Sequence, residues 1–122
     1  IIASDFIWDH PHYTRGFPRL RGLVTMGSPL AMWGMRWEHF GEPITMQSQG
    51  LPWINLVADS DVIGWPLRNL NDRYAQEVTE DVVLPVTWNW KTWSPTSHVS
   101  YWTSPTVART IGDMAVSVWE KK

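Results

Sequence analysis

The sequence predicts an α/β fold: a mostly parallel sheet with flanking helices. Leu23-Val24-Thr25-Met26 between Gly22 and Gly27, and residues 53–57 between Pro52 and the polar cluster Asp59-Ser60-Asp61, are short continuous apolar runs. Strands buried on both faces of a parallel sheet read this way. A clear amphipathic helix closes the chain, and helical and strand segments alternate before it, the order that parallel sheets with crossover helices produce.

Element by element, residues 1–9 place Ile2, Ala3, Phe6 and Ile7 on one helical face. No cap precedes them, and a helix without its first turn leaves orphan N–H groups, so its start is expected upstream. The opening Ile1-Ile2-Ala3, with neither an initiator Met nor a leader, agrees with a chain trimmed at the front. His10-Pro11-His12 ends this helix, because Pro disfavours the helical region for the residue before it. After the first strand, Gly27-Ser28-Pro29 makes a turn. Residues 31–40, with Met32, Trp33, Met35, Trp37 and Phe40 on neither period, read as a short helix or a flap, and residues 41–50 as loop. A third strand is expected within residues 81–88, at a sheet edge because Pro85 cannot donate to a ladder. In the last helix Ser104 is the N-cap, Pro105 takes the first position, and Val107, Ile111, Met114, Ala115 and Val118 form one apolar stripe before Lys121-Lys122. No repeat or linker interrupts residues 1–122, so they read as one partial domain whose thin sheet leans on something absent.

Composition narrows the function. Ten Lys+Arg against twelve Asp+Glu give a net charge of −2, with no surplus to neutralise a phosphate backbone, so nucleic acid is a poor partner. With no Cys there is no disulfide framework, thiolate zinc site or cysteine nucleophile. No apolar run approaches the roughly 18 residues of a membrane span, so the chain is expected to be soluble, with the cytoplasm favoured and the compartment otherwise open. Charged residues are only 18% while Trp reaches 10, which points to an unusually apolar surface and hence to a partner, a ligand groove or a missing piece of the same protein.

Without Cys, the catalytic inventory is His10, His12, His39, His98, the carboxylates and the serines. A serine hydrolase on an open α/β sheet needs a G-x-S-x-G elbow, and none is present: Ser48-Gln49-Gly50 has Met46 where the first Gly should be, and Gly27-Ser28-Pro29 lacks the second half. The two other triad members are better represented. Asp61 follows the second strand, with Asp59 its near competitor, and His98 lies between the last strand and the last helix, in the order such triads require. Each also has a bland reading, a turn carboxylate or a solvated loop imidazole. Asp9-His10-Pro11-His12 has the look of a metal-ligand cluster, but no second pair of ligands is evident, so neither a metal nor a cofactor is expected. Most tryptophans read as core or interface. Trp33, Trp37 and Trp65 fall after strand ends, where α/β sheets bind ligands, and are the candidates for a substrate-pocket wall.

The segments Ile1–Asp9, Leu20–Leu30, Asp61-Val62-Ile63-Gly64-Trp65-Pro66-Leu67 and Ser97-His98-Val99-Ser100-Tyr101-Trp102 together resemble the C-terminal half of a lipase/esterase-like α/β-hydrolase, with Gly27-Ser28-Pro29-Leu30 and Ser97-His98 the most telling. The resemblance implies carboxylic ester hydrolysis, Asp61 and His98 as triad acid and base, and a nucleophilic Ser just upstream of Ile1. No residue of this chain inherits that last role, so the chain alone is expected to be inactive. It also implies that the strand pairing with the other edge of Leu23–Met26 is missing, so an N-terminal partner segment or self-association through an open sheet edge is expected. The competing class is a non-catalytic module whose Trp-rich loops form a recognition surface, since Trp is enriched in interface hot spots.

Overall fold

A computed structural model describes residues 20–34, 42–85 and 101–120. They form a small α/β unit with three strands in the order β1-β2-β3: β1 is Leu23–Met26, β2 Trp53–Ala58 and β3 Glu80–Leu84. Both pairings are parallel, Leu23 opposite Trp53 and Ile54 opposite Glu80. Helix α1 (Leu30–Gly34) and a single 3₁₀ turn (Gln47–Gln49) lie between β1 and β2, α2 (Asp72–Glu77) between β2 and β3, and α3 (Pro105–Trp119) follows the sheet.

The alternation of side chains along each strand divides the core in two. On one face Trp53 packs with Leu30, Ile44, Met46, Leu67, Tyr74 and Val78, so both β-to-β connections cover that side. On the other, Leu56, Ala58 and Leu84 pack with Tyr101 and Val107, the side on which α3 begins. The middle strand β2 is buried almost throughout, as its apolar run WINLVA predicts. β1 is only half-buried along its length, a departure from the expectation of burial on both faces. The physical reason is position: among the described residues it pairs with β2 alone and ends the sheet on that side.

Across the Trp53 face runs one polar row. Thr25, Asn55 and Asp81 are direct register partners on the three strands. Thr25 Oγ1 donates to Asn55 Oδ1 at 2.8 Å, and Asn55 Nδ2 donates to Asp81 Oδ1 at 2.7 Å. The row also holds the loop that follows β2: Asn55 Nδ2 donates to the Trp65 carbonyl at 3.2 Å, and the Asp81 carboxylate accepts the Leu67 and Arg68 N–H groups at 2.9 and 2.8 Å. A fully buried amide such as Asn55 is tolerable only when its donors and acceptor are met in this way.

Helix α2 has no counterpart in the sequence reading. Its start is set by Asn71, whose side chain accepts the Tyr74 N–H, and it buries only Tyr74. In α3, Pro105 opens the helix as expected, but Ser104 makes no side-chain capping bond. Val107 is buried, whereas Ile111 of the expected stripe is 44% exposed. Residues 1–9 and the expected third-strand residues 86–88 lie outside the described residues.

Candidate functional site

The carboxyl ends of β1 and β2 meet closely. Gly27 ends β1 with φ of +52°, a conformation few L side chains adopt, and its N–H extends the ladder to the Leu56 carbonyl at 3.0 Å. Gly64, in the loop after β2, lies so near that a Cβ built there would stand 2.6 Å from Gly27 Cα and 2.8 Å from Asp61 Oδ2. The space beside the Asp61 carboxylate therefore depends on Gly64 having no side chain. Ser28, just after Gly27, is buried and accepts the Leu30 N–H at 3.4 Å, starting α1.

Asp61 sits at this junction and is 6% exposed. A turn closed by its own N–H to the Ala58 carbonyl at 2.9 Å carries it back over the end of β2. Oδ1 accepts the Ile63 N–H at 3.0 Å, and Oδ2 accepts the Tyr101 hydroxyl at 2.9 Å. The Tyr101 oxygen in turn accepts the Ala58 N–H at 2.9 Å. Asp59, the competing acid, is exposed in the same turn.

Burial pushes the Tyr101 phenol well above its ordinary value of 10.0; the Ala58 N–H bond opposes that shift, and the bond to Asp61 and its charge reinforce it. Tyr74 is raised by burial. The linkage follows in sign. Above the unfolded value the native state keeps protons that the unfolded chain gives up, so stability is fully present below pH 10.0 and falls as pH rises beyond it. Urea midpoints measured between about pH 9 and 12 are expected to decline with the appearance of tyrosinate absorbance, and Tyr101→Phe to flatten that decline. A slope unchanged by that substitution would count against a buried, protonated Tyr101.

Trp33 on α1 and Trp65 in the loop after β2 stand on the two segments that Gly27 and Gly64 bring together. They are 41% and 48% exposed, and the Trp65 indole N–H donates to the Val62 carbonyl at 3.1 Å within its own loop. His98 and Trp37 lie outside the described residues, as do His10 and His12. Among the described residues no cluster of three or more His, Cys, Asp or Glu side chains is placed to hold a metal ion, and no helix is long and apolar enough to cross a membrane. A separate groove of about 360 Å³ lies at the other edge of the sheet, between α3 and the amino ends of β2 and β3, with Glu80, Asp113 and Met114 in its wall. Sequence reasoning gave no role to Tyr101, Asn55, Asp81 or Gly64. The available signal was a polar residue inside an apolar run, Asn55 in WINLVA. No family model, curated protein or solved structure matches the chain.

Proposed function

We propose that the carboxyl edge of this sheet is the acid side of a serine-hydrolase site acting on carboxylic esters. Asp61 is its triad acid, His98 its base, and Trp33, Trp37 and Trp65 form the apolar wall of its ester pocket. The observation that carries the reading is Asp61, a buried carboxylate at the end of a middle parallel strand, with both oxygens oriented by hydrogen bonds. Ligands of open α/β sheets gather at this edge. His98 precedes Tyr101 by three residues, a stretch of chain that spans at most roughly 11 Å, and Tyr101 touches Asp61.

In this site His98 takes the proton of a serine hydroxyl as that oxygen attacks the ester carbonyl, then returns it to the departing alcohol; water releases the acyl group by the same route. Asp61 holds the imidazole tautomer and stabilises the imidazolium. The serine is not supplied by these 122 residues, which contain no G-x-S-x-G.

A second reading, a non-catalytic recognition module, is favoured by the exposed Trp33, Trp65, Trp102 and Trp119 and by the lack of a nucleophile and base pair among the described residues. It asks less of the described residues than the first. The two separate in one experiment on the protein made from its complete coding sequence: p-nitrophenyl ester hydrolysis, with a serine-directed phosphonate and mapping of its adduct. Turnover with an adduct on a serine outside these residues supports the hydrolase. An adduct on a serine within them overturns the assignment, and neither turnover nor adduct leaves the recognition module.

A further inference from the structure

We infer that Tyr101 is a positioning residue that sets the orientation of the Asp61 carboxylate, an inference resting on the hydrolase reading. The Tyr101 ring is 2% exposed and packs with Leu56, Ala58, Leu84 and Val107, so apolar burial on the α3 face fixes where it lies. Its hydroxyl is then fixed by two partners at 2.9 Å each, the Ala58 N–H it accepts and the Asp61 Oδ2 to which it donates. Because the oxygen already takes the Ala58 proton, its own proton is directed to the carboxylate.

The Ile63 N–H holds Asp61 through Oδ1 and from within the same loop. Tyr101 holds the second oxygen and comes from the opposite layer of the sheet, so turning the carboxylate plane breaks two bonds to two separate elements. The same hydroxyl also anchors the chain three residues after His98 to the acid that His98 would meet. A single O–H thus ties the acid to the chain three residues beyond the proposed base.

The alternative is that Tyr101 only fills core and satisfies the Ala58 N–H. Stability does not separate the two, since Tyr101→Phe weakens the fold in either case; the division between kcat and KM does. In the protein made from its complete coding sequence, below its melting range, Tyr101→Phe is expected to lower kcat for a p-nitrophenyl ester roughly 10²-fold, the scale on which small misplacements act, with KM within about twofold. Val107→Ala, which thins the same core layer without touching the carboxylate, is expected to keep kcat within about twofold of wild type. In an Asp61→Ala background Tyr101→Phe should have no further effect on kcat, because groups that act as one unit are not additive. If Tyr101→Phe does not fold, fluorotyrosines at position 101 keep the hydroxyl and vary its acidity: kcat following that acidity supports the role, and a flat response overturns it. Turnover unaffected by Asp61→Ala defeats the hydrolase reading itself. Turnover lost in Asp61→Ala but retained in Tyr101→Phe defeats only the inference.

Discussion

In the proposed hydrolase site, assayed in the protein made from its complete coding sequence, Asp61→Asn is expected to lower kcat for a p-nitrophenyl ester roughly 10⁴-fold, a loss of about 5.5 kcal/mol of transition-state stabilisation, with the protein still folded. The substitution keeps the shape and removes the charge that would stabilise an imidazolium. It also disturbs the local bonds in a definite way. Among its partners Asp61 accepts the Ile63 N–H on Oδ1 and the Tyr101 hydroxyl on Oδ2. An amide offers one acceptor oxygen and one donor nitrogen, so its NH₂ either faces the Ile63 N–H, donor against donor, or takes the place of the oxygen to which the Tyr101 O–H donates and leaves that proton without this acceptor. A buried donor left in conflict costs about 1–3 kcal/mol, so a lower melting temperature accompanies the loss of rate. Rates are therefore to be compared well below the transition, with the fold checked by circular dichroism. A folded Asp61→Asn protein that keeps its turnover within tenfold would remove Asp61 from the chemistry.

How far the sequence foretells this arrangement depends on whether a feature is local. β1, β2 and α3 are legible because each carries its signal within itself: an apolar run between turn residues, or a Pro105 start followed by a buried Val107. The third strand is legible too, although it runs Glu80–Leu84, beginning one residue earlier than expected and ending before Pro85, which the expectation placed inside it and which cannot donate to a ladder. Helix α2 is six residues long and buries a single side chain, too little for any periodicity to show. The polar row Thr25–Asn55–Asp81 is a property of register, which no single strand displays. From the sequence Asp61 is the preferred acid and Asp59 its near competitor, because both belong to one turn after β2. Only the path of the backbone, closed by the Asp61 N–H to Ala58, sends one carboxylate inward and leaves the other in solvent. Nothing in the sequence marks Tyr101 as core, and that its hydroxyl reaches an acid forty positions earlier is a product of folding alone.

Trp53→Ala is expected to cost about 3–5 kcal/mol of folding stability, a large share of the roughly 5–15 kcal/mol that a small domain has in total. Trp53 is fully buried and is the largest side chain in the core face covered by the two connections. Its ring lies 6.2 Å from that of Tyr74, tilted by 54°, and its indole N–H donates to Thr25 Oγ1 at 3.1 Å. Removing it takes apolar surface out of contact with Leu30, Met46, Leu67 and Val78 and leaves a cavity that the sheet, held by its ladder, cannot close. The polar loss is smaller, because the Thr25 hydroxyl still donates to Asn55 and gives up only what it accepts from the indole. Trp53→Phe is accordingly expected to recover more than half of the loss, since it restores most of the ring volume and none of the N–H. Urea unfolding of the three proteins, read as midpoints at unchanged m, checks both statements. A Trp53→Ala cost below about 1.5 kcal/mol would mean that this face is not the packed core the unit depends on.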